Sequence, residues 1–194
     1  MTDPVPFAIP TRFAADPDRV ALVIPGMGYS PARPLLHFAT AALLQRGWTV
    51  QELWWRVPDD LGRLPLAGRA SWVAEQVGHA VDAEGGACRL LVGKSLGTFA
   101  AALAADRSLP AVWLTPLLTL AEVAEPLRRA AAPALLVGGT RDDLWDGQVA
   151  AGLPHEVLEI PGADHSLEMD GDVVGSAAAL GQVVAAMHDF IARV

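Results

Sequence analysis

The segment Gly93-Lys94-Ser95-Leu96-Gly97 has the spacing G-x-S-x-G, in which two glycines flank a serine hydroxyl. It follows the apolar residues 90–92 and precedes the small-residue segment 98–103, which is a strand–turn–helix context. A serine on such a sharp turn has a strained backbone that exposes its hydroxyl, and a Cβ at either glycine would collide with a neighbouring element. The pattern therefore predicts Ser95 as a nucleophile.

The same letters also form the end of a phosphate-binding loop, whose pattern is G-x-x-x-x-G-K-[ST]. That loop requires a glycine where this chain has Cys88, and apolar strand residues run directly into Gly93. The sequence therefore disfavours a nucleotide-binding module.

A serine nucleophile needs a base, and the base needs an acid that orients it. Asp142 comes just after the apolar strand predicted at 134–138 and its glycine turn, and His165 comes just after the strand predicted at 156–160. The chain order Ser, Asp, His is the order found when these groups work together in a strand–turn–helix context. We therefore predict His165 as the general base and Asp142 as its orienting acid.

Two further carboxylates, Asp143 and Asp146, lie on the same predicted loop as Asp142 and remain alternatives for the acid. His165 is more distinctive. Of the 5 histidines in the chain, it is the one predicted in a loop at the reactive edge of the sheet, since the others fall in predicted helices or at the start of a strand.

The first predicted strand, 20–24, ends in a glycine-rich loop that includes Met27 and Tyr29. Such a loop can direct one backbone N–H towards an oxyanion, and the N–H of the residue after the nucleophile supplies a second. Met27 and Leu96 are therefore the predicted oxyanion donors. The alternative is a plain strand-to-helix turn.

Apolar strands alternate with amphipathic helices along the chain, and this pattern predicts a mostly parallel sheet of about six strands with helices on both faces. The reactive loops should then meet at the carboxyl ends of the strands. The predicted strands are 20–24, 48–55, 89–92, 111–115, 134–138 and 156–160. The predicted helices are 34–46, 66–83, one that begins at 98, 121–132 and 172–191.

The length of 194 residues fits one domain, with residues 1–18 as an N-terminal extension or short edge strand. A net charge of −8 disfavours nucleic acid as a partner. The lone Cys88 excludes an intramolecular disulfide, and its place predicts a small buried residue at the start of a strand.

We expect a cytoplasmic protein without a membrane-spanning helix, because the N-terminus lacks the pattern of a secretory signal and no stretch of 18 uninterrupted apolar residues occurs. No recognisable metal-ligand spacing is present, so we expect neither a metal nor another cofactor.

With these motifs, the chain resembles the α/β-hydrolase superfamily from about residue 19 to 194. It is most similar to small, lidless members related to dienelactone hydrolases and to the Tex30/KANSL3-like group, in which a lysine or arginine precedes the serine as Lys94 does here. Pro25 stands where many esterases have histidine. Dienelactone hydrolases use cysteine where this chain has Ser95, so their activity is not implied. The early antiparallel strands of larger members are absent or reduced to residues 5–13.

The resemblance implies a serine hydrolase that cleaves a small carboxylic ester or thioester; a non-catalytic binding or scaffold protein of the same fold is the alternative. Few residues separate the strand 111–115 from the next helix, where larger members insert a lid. The pocket should therefore be shallow and open, bordered by Tyr29, Leu117 and Trp145, with Trp54 or Trp55 beside them. The sequence leaves the oligomeric state open.

The sequence leaves three roles open for Lys94. Its charge could extend to solvent, which is the slightly favoured interpretation. It could instead pair with Asp143 or Asp146 and hold the acid loop, or attract a substrate that carries a carboxylate.

Overall fold

The structure, a computed structural model, describes residues 11–194, and these build one sheet with helices on both faces. The strands are β1 (Arg12–Phe13), β2 (Asp16–Ile24), β3 (Trp48–Glu52), β4 (Cys88–Lys94), β5 (Ala111–Leu114), β6 (Ala134–Gly139) and β7 (Glu156–Ile160). The α-helices are α1 (Pro34–Gln45), α2 (Leu66–Ala83), α3 (Ala101–Arg107), α4 (Ala121–Arg129), α5 (Gly147–Ala151) and α6 (Val173–Ile191). Two short 3₁₀ helices are Leu61–Arg63 and Ser95–Ala100.

The sheet has the strand order β1-β3-β2-β4-β5-β6-β7, and every neighbouring pair is parallel except β1 with β3. The predicted fold class is thereby confirmed: the six predicted strands form a parallel sheet. The seventh strand, β1, adds an antiparallel edge through Arg12 and Phe13. The parallel arrangement brings the carboxyl ends of β2, β4, β6 and β7 to one edge of the sheet.

Two apolar clusters cover the two faces of the sheet. One lies under α2, α3 and α4, and the other lies under α1 and α6. Successive residues of β2 alternate between them, with Leu22 and Ile24 in the first cluster and Ala21 and Val23 in the second. This two-sided burial explains why the strands read as continuous apolar runs in the sequence.

The predicted N-terminal extension falls partly on residues 1–10, which lie outside the described residues. Within the described part, Arg12–Phe13 is a short edge strand, and β2 begins at Asp16, four positions before the predicted start. Cys88 is buried at the start of β4, as predicted, and burial raises the pKa of its thiol to about 11.

Two predicted strands end earlier than the apolar pattern suggested. β3 ends at Glu52, so Trp54 and Trp55 belong to the loop that follows it. β5 ends at Leu114, because the next residue, Thr115, has a left-handed φ of 44° that leaves the strand conformation.

Helix α6 was expected to pack through Val173, Ala177, Leu180, Val184, Met187 and Ile191, and of these only Met187 and Ile191 are buried. The inner side is Ala179, Val183 and Met187, whereas Val173 at its first turn is 82% exposed. The first turn extends past the end of the core, which periodicity alone does not reveal.

Within residues 11–194, α6 is the helix long and apolar enough to cross a membrane by length and composition, with a mean hydropathy of 1.3. The core helix of a folded domain passes the same test, and Val183, Met187 and Phe190 of α6 are buried in the second apolar cluster. A cytoplasmic location stays a prediction.

Candidate active site

Ser95 lies at the sharp turn between β4 and the 3₁₀ helix that follows, with a left-handed φ of 51°. A serine rarely adopts this conformation, and such strain is concentrated at functional sites. The two flanking glycines allow the turn. A Cβ at Gly93 would lie 2.5 Å from the ring of Trp113, and a Cβ at Gly97 would lie 2.8 Å from the carbonyl oxygen of Pro25.

Three side chains form a continuous hydrogen-bonded series at the elbow. His165 Nε2 lies 2.7 Å from Ser95 Oγ, and His165 Nδ1 lies 2.8 Å from Asp142 Oδ2. The Asp142 side chain is 1% exposed, whereas that of His165 is 34% exposed. With its proton on Nδ1, the imidazole donates to the buried carboxylate and can accept the serine proton on Nε2.

The loop after β6 fixes the orientation of Asp142. Its second oxygen, Oδ1, accepts a hydrogen bond of 2.9 Å from the N–H of Leu144. The alternative acids point elsewhere: Asp146 accepts from the N–H groups at the start of α5, and Asp143 is exposed. Of the three carboxylates, Asp142 is therefore the one bonded to the imidazole.

The loop that carries His165 is closed on itself by Asp164. The Asp164 carboxylate accepts from the N–H groups of Ser166 and Glu168, at 2.7 and 3.0 Å. The turn also contains Leu167, which has a left-handed φ of 59°. These contacts fix the shape of the loop, but they do not attach it to the nucleophile.

The glycine-rich loop after β2 packs directly against the nucleophile. A Cβ at Gly26 would lie 3.3 Å from Cβ of Ser95, and the loop is closed by a hydrogen bond from the Gly26 N–H to the carbonyl of Tyr29. Leu96 lies in the first turn of the 3₁₀ helix, where N–H groups have no partner within the helix. This contact joins Gly26 to Ser95. The two predicted oxyanion donors, Met27 and Leu96, are the residues that come next in the chain after each of them.

Lys94 does not extend to solvent, so the favoured interpretation of its charge is wrong. The residue is 2% exposed, and its Nζ donates a 2.9 Å hydrogen bond to the main-chain carbonyl of His165. The Nζ also lies 4.7 Å from the centre of the Tyr29 ring. Burial lowers the pKa of Lys94 to about 8, against the opposing charges of Asp142 and Asp164.

Tyr29 lines two surface hollows, which border the His165 loop and the glycine-rich loop. The larger, about 580 Å³, lies between the start of α1, the His165 loop and the start of α6, and its apolar wall includes Leu35, Leu167 and Leu180. The smaller, about 250 Å³, is bordered by the glycine-rich loop and by Trp54 and Trp55. The Tyr29 hydroxyl accepts from the N–H of Leu35, and burial raises the pKa of this phenol.

The other two predicted pocket residues, Leu117 and Trp145, lie in the core instead. Each is 7% exposed and belongs to the first apolar cluster. The indole of Trp145 fills the space left by the missing side chain of Gly138, and its Nε1 donates a 2.7 Å hydrogen bond to Glu159. The expectation that they border an open pocket is therefore wrong.

A further residue of the elbow has no distinctive pattern in the sequence. Thr98 is buried, and its hydroxyl donates to the carbonyl of Ser95 at 2.6 Å while it accepts from the N–H of Leu117.

Among residues 11–194, no group of three or more His, Cys, Asp and Glu side chains is arranged to hold a metal ion.

No protein-family model matches the sequence, and no curated protein matches it. Solved structures do. An α/β serine hydrolase homologue from Coxiella burnetii is 17% identical with a TM-score of 0.66, over 89% of this chain and 84% of that one. A lidless α/β serine hydrolase from Xanthomonas campestris is 19% identical with a TM-score of 0.57, over 93% and 83%. The mouse α/β hydrolase domain-containing protein 10 is 14% identical with a TM-score of 0.66, over 94% and 92%.

These similarities show that the chain has the α/β-hydrolase fold, as the resemblance predicted. Residues 115–120 are all that separate β5 from α4, so the described chain has no lid at that position. The narrower likeness to dienelactone hydrolase-related proteins stays a prediction.

Proposed function

We propose that this chain, which has the fold of the α/β hydrolases, is a serine hydrolase that cleaves a small carboxylic ester or thioester through an acyl-enzyme. The observation that carries the proposal is the hydrogen-bonded series Ser95–His165–Asp142 at a strained elbow. The structural neighbours include serine hydrolases, which supports the same reaction class.

In the proposed reaction, Ser95 Oγ attacks the carbonyl carbon while His165 Nε2 takes its proton. The N–H groups of Met27 and Leu96 stabilise the negative charge that develops on the carbonyl oxygen. The imidazolium then protonates the departing alcohol or thiol, which leaves an acyl group on Ser95. Water, deprotonated by His165, releases the acid and restores the serine, while Asp142 stabilises the imidazolium in both halves.

The surroundings favour a small substrate with apolar groups. The two hollows beside Tyr29 have mostly apolar walls, and the absence of a lid at the 115–120 connection leaves the site open. Both hollows are open surface depressions rather than closed tunnels, so neither would select one long acyl chain by enclosing it.

A fluorophosphonate reagent tests the proposal, because it phosphonylates only an activated serine. We expect the protein to be labelled and the Ser95→Ala variant to be unlabelled, with equal circular dichroism spectra. Hydrolysis of p-nitrophenyl esters of increasing chain length then measures the preferred acyl size. A folded protein that resists the reagent and cleaves none of these esters would contradict the proposal and favour the non-catalytic binding or scaffold protein.

A further inference from the structure

Lys94 is the single lysine of the chain, and the position of its charged side chain lowers the stability of the fold. It is 2% exposed, and among residues 11–194 no carboxylate lies within ion-pair distance of its Nζ. Burying an ammonium group without an ion-pair partner destabilises a fold, whereas an apolar side chain of similar size does not. Its presence beside the nucleophile therefore calls for a reason other than stability.

Two bonds reach His165 from neighbouring residues of the elbow. Ser95 Oγ bonds the imidazole Nε2 at 2.7 Å, and Lys94 Nζ bonds the main-chain carbonyl at 2.9 Å. The first bond must break and reform during the proposed reaction. The second joins the main chain of the base to β4, independently of the proton position.

The surroundings of the Lys94 side chain hold it in this geometry. Tyr29 lies across its Nζ at 4.7 Å, within the range of a cation–π contact, and a Cβ at Gly26 would lie 3.3 Å from its Cδ. Because the Lys94 side chain is buried, its charged donor makes a stronger hydrogen bond to a carbonyl than a neutral donor would.

We propose that Lys94 is a positioning residue that holds His165 at hydrogen-bonding distance from Ser95 through the His165 main-chain carbonyl. The role rests on the proposed hydrolase function. Asp164 fixes the internal shape of the loop, and Lys94 fixes where that loop lies relative to the nucleophile. The alternatives from the sequence, a pair with Asp143 or Asp146, are not the contacts that the side chain makes.

The first test is Lys94→Met, which keeps an apolar stem of similar volume but removes the ammonium group. We expect kcat for a p-nitrophenyl ester to fall about 10- to 100-fold, because a base displaced by less than 1 Å loses its alignment with the serine. KM should change little, and the melting temperature should stay equal or rise, since a buried charge is removed. A lysine that only supports the fold would instead lower the melting temperature, and one that attracts a substrate carboxylate would raise KM in a salt-dependent way.

The second test restores the ammonium group chemically. A Cys88→Ala, Lys94→Cys double variant has one thiol, which is alkylated in the unfolded chain with 2-bromoethylamine and refolded. The matched control is alkylated with 1-bromopropane, which gives a neutral side chain of the same length. The proposal expects the aminoethyl product to regain most of the lost kcat and the propyl product to remain as slow as Lys94→Met. Equal kcat for the two products would overturn it.

A third measurement does not depend on activity. The proton shared by His165 Nδ1 and Asp142 gives a strongly downfield NMR signal when the pair is held together. We expect this signal to broaden or move in Lys94→Met, and an unchanged signal together with unchanged kcat would overturn the role of Lys94. Failure of the unmodified protein to react with fluorophosphonate would instead overturn the hydrolase function, and the NMR signal would still report on the Lys94 contact.

Discussion

At the scale of single residues, Asp142 offers the sharpest test of the site. Asp142→Asn should lower kcat by up to about 10⁴-fold, because an amide at this position favours the wrong imidazole tautomer. The volume of the side chain is conserved, so the fold should survive. Measured kcat and a thermal melt for the same preparation check both points.

Asp146→Asn is the matched control for this change. Asp146 accepts from the first N–H groups of α5 and makes no bond to His165, so its replacement should affect stability slightly and leave kcat near its starting value. A large loss of kcat in Asp146→Asn or Asp143→Asn, with an active Asp142→Asn, would contradict the assignment of the acid.

Because of Lys94, we expect the free energy of unfolding to depend on pH in an unusual way. Folding lowers the pKa of Lys94 from 10.5 to about 8. This shift means that the protonated group lowers the free energy of unfolding by roughly 3 kcal/mol, which is the penalty for burying it. Below pH 8 both the folded and the unfolded chain hold the proton, so the whole penalty applies. Between pH 8 and 10.5 the folded chain releases its proton while the unfolded chain keeps it, so stability should rise with pH.

Urea unfolding of the unmodified protein and of Lys94→Met, from pH 7 to pH 10, measures this difference directly. Because the other titrating groups are common to both proteins, their contributions largely cancel in the comparison. The advantage of the methionine variant should shrink as pH rises. A difference that is constant over the whole range would mean that Lys94 keeps an ordinary pKa.

The sequence was enough to predict some residues of the candidate site but not others, for a physical reason. Ser95, Asp142 and His165 each follow a strand, and that spacing can be read without a structure. The hydrogen-bond partner of Lys94 could not be predicted from the sequence, because every residue has the same main-chain carbonyl group. Trp145 was misplaced since its burial depends on the empty space over Gly138, a contact between strand β6 and the loop after it that periodicity does not encode.

At the scale of elements, the elbow and the glycine-rich loop depend on one close approach. A Cβ at Gly97 would lie 2.8 Å from Cγ2 of Ile24 and 2.8 Å from the carbonyl oxygen of Pro25. Gly97→Ala should therefore displace the loop that carries Met27 and lose stability as well as fluorophosphonate labelling. Initial labelling rates and urea unfolding measure the two effects.

Gly181→Ala provides the control, since it makes the same substitution inside α6. A Cβ at Gly181 would meet nothing within 4 Å. Alanine should raise the free energy of unfolding by about 0.5–1 kcal/mol through its higher helix propensity, with labelling unchanged. If Gly97→Ala behaved like Gly181→Ala, the close packing of the two loops would not matter for the reaction.

Long helix α2, which has a strong periodic pattern, was predicted well, and the short helix α5 was missed. The predicted bounds of α2, 66–83, agree with the structure because its apolar side repeats over many turns. Helix α5, Gly147–Ala151, is too short to show a periodic pattern of apolar residues. Its start is capped by the Asp146 side chain. The two-residue strand β1 falls within residues 1–18, for which an extension or a short edge strand was expected, and its pairing with β3 defines its bounds.

At the scale of the whole molecule, the alternation of apolar strands and helices was enough to predict the parallel sheet and the edge where the loops meet. It could not predict the shape of the surface around the serine. That surface depends on how the starts of α1 and α6 approach the His165 loop, which leaves the larger hollow between them.

The larger hollow can be tested directly as a substrate-binding surface. Ala177 lies on its α6 wall near Leu180, and Ala177→Trp would fill part of the 580 Å³ space. If the hollow receives an apolar part of the substrate, kcat/KM should fall more for long-chain than for short-chain p-nitrophenyl esters, while fluorophosphonate labelling of Ser95 stays the same. Ala178→Trp, an exposed neighbour on α6 outside the lining of the hollow, should leave the chain-length profile unchanged. Equal profiles for both tryptophan variants would mean that substrates bind elsewhere, with the smaller hollow beside Trp54 as the next position to fill.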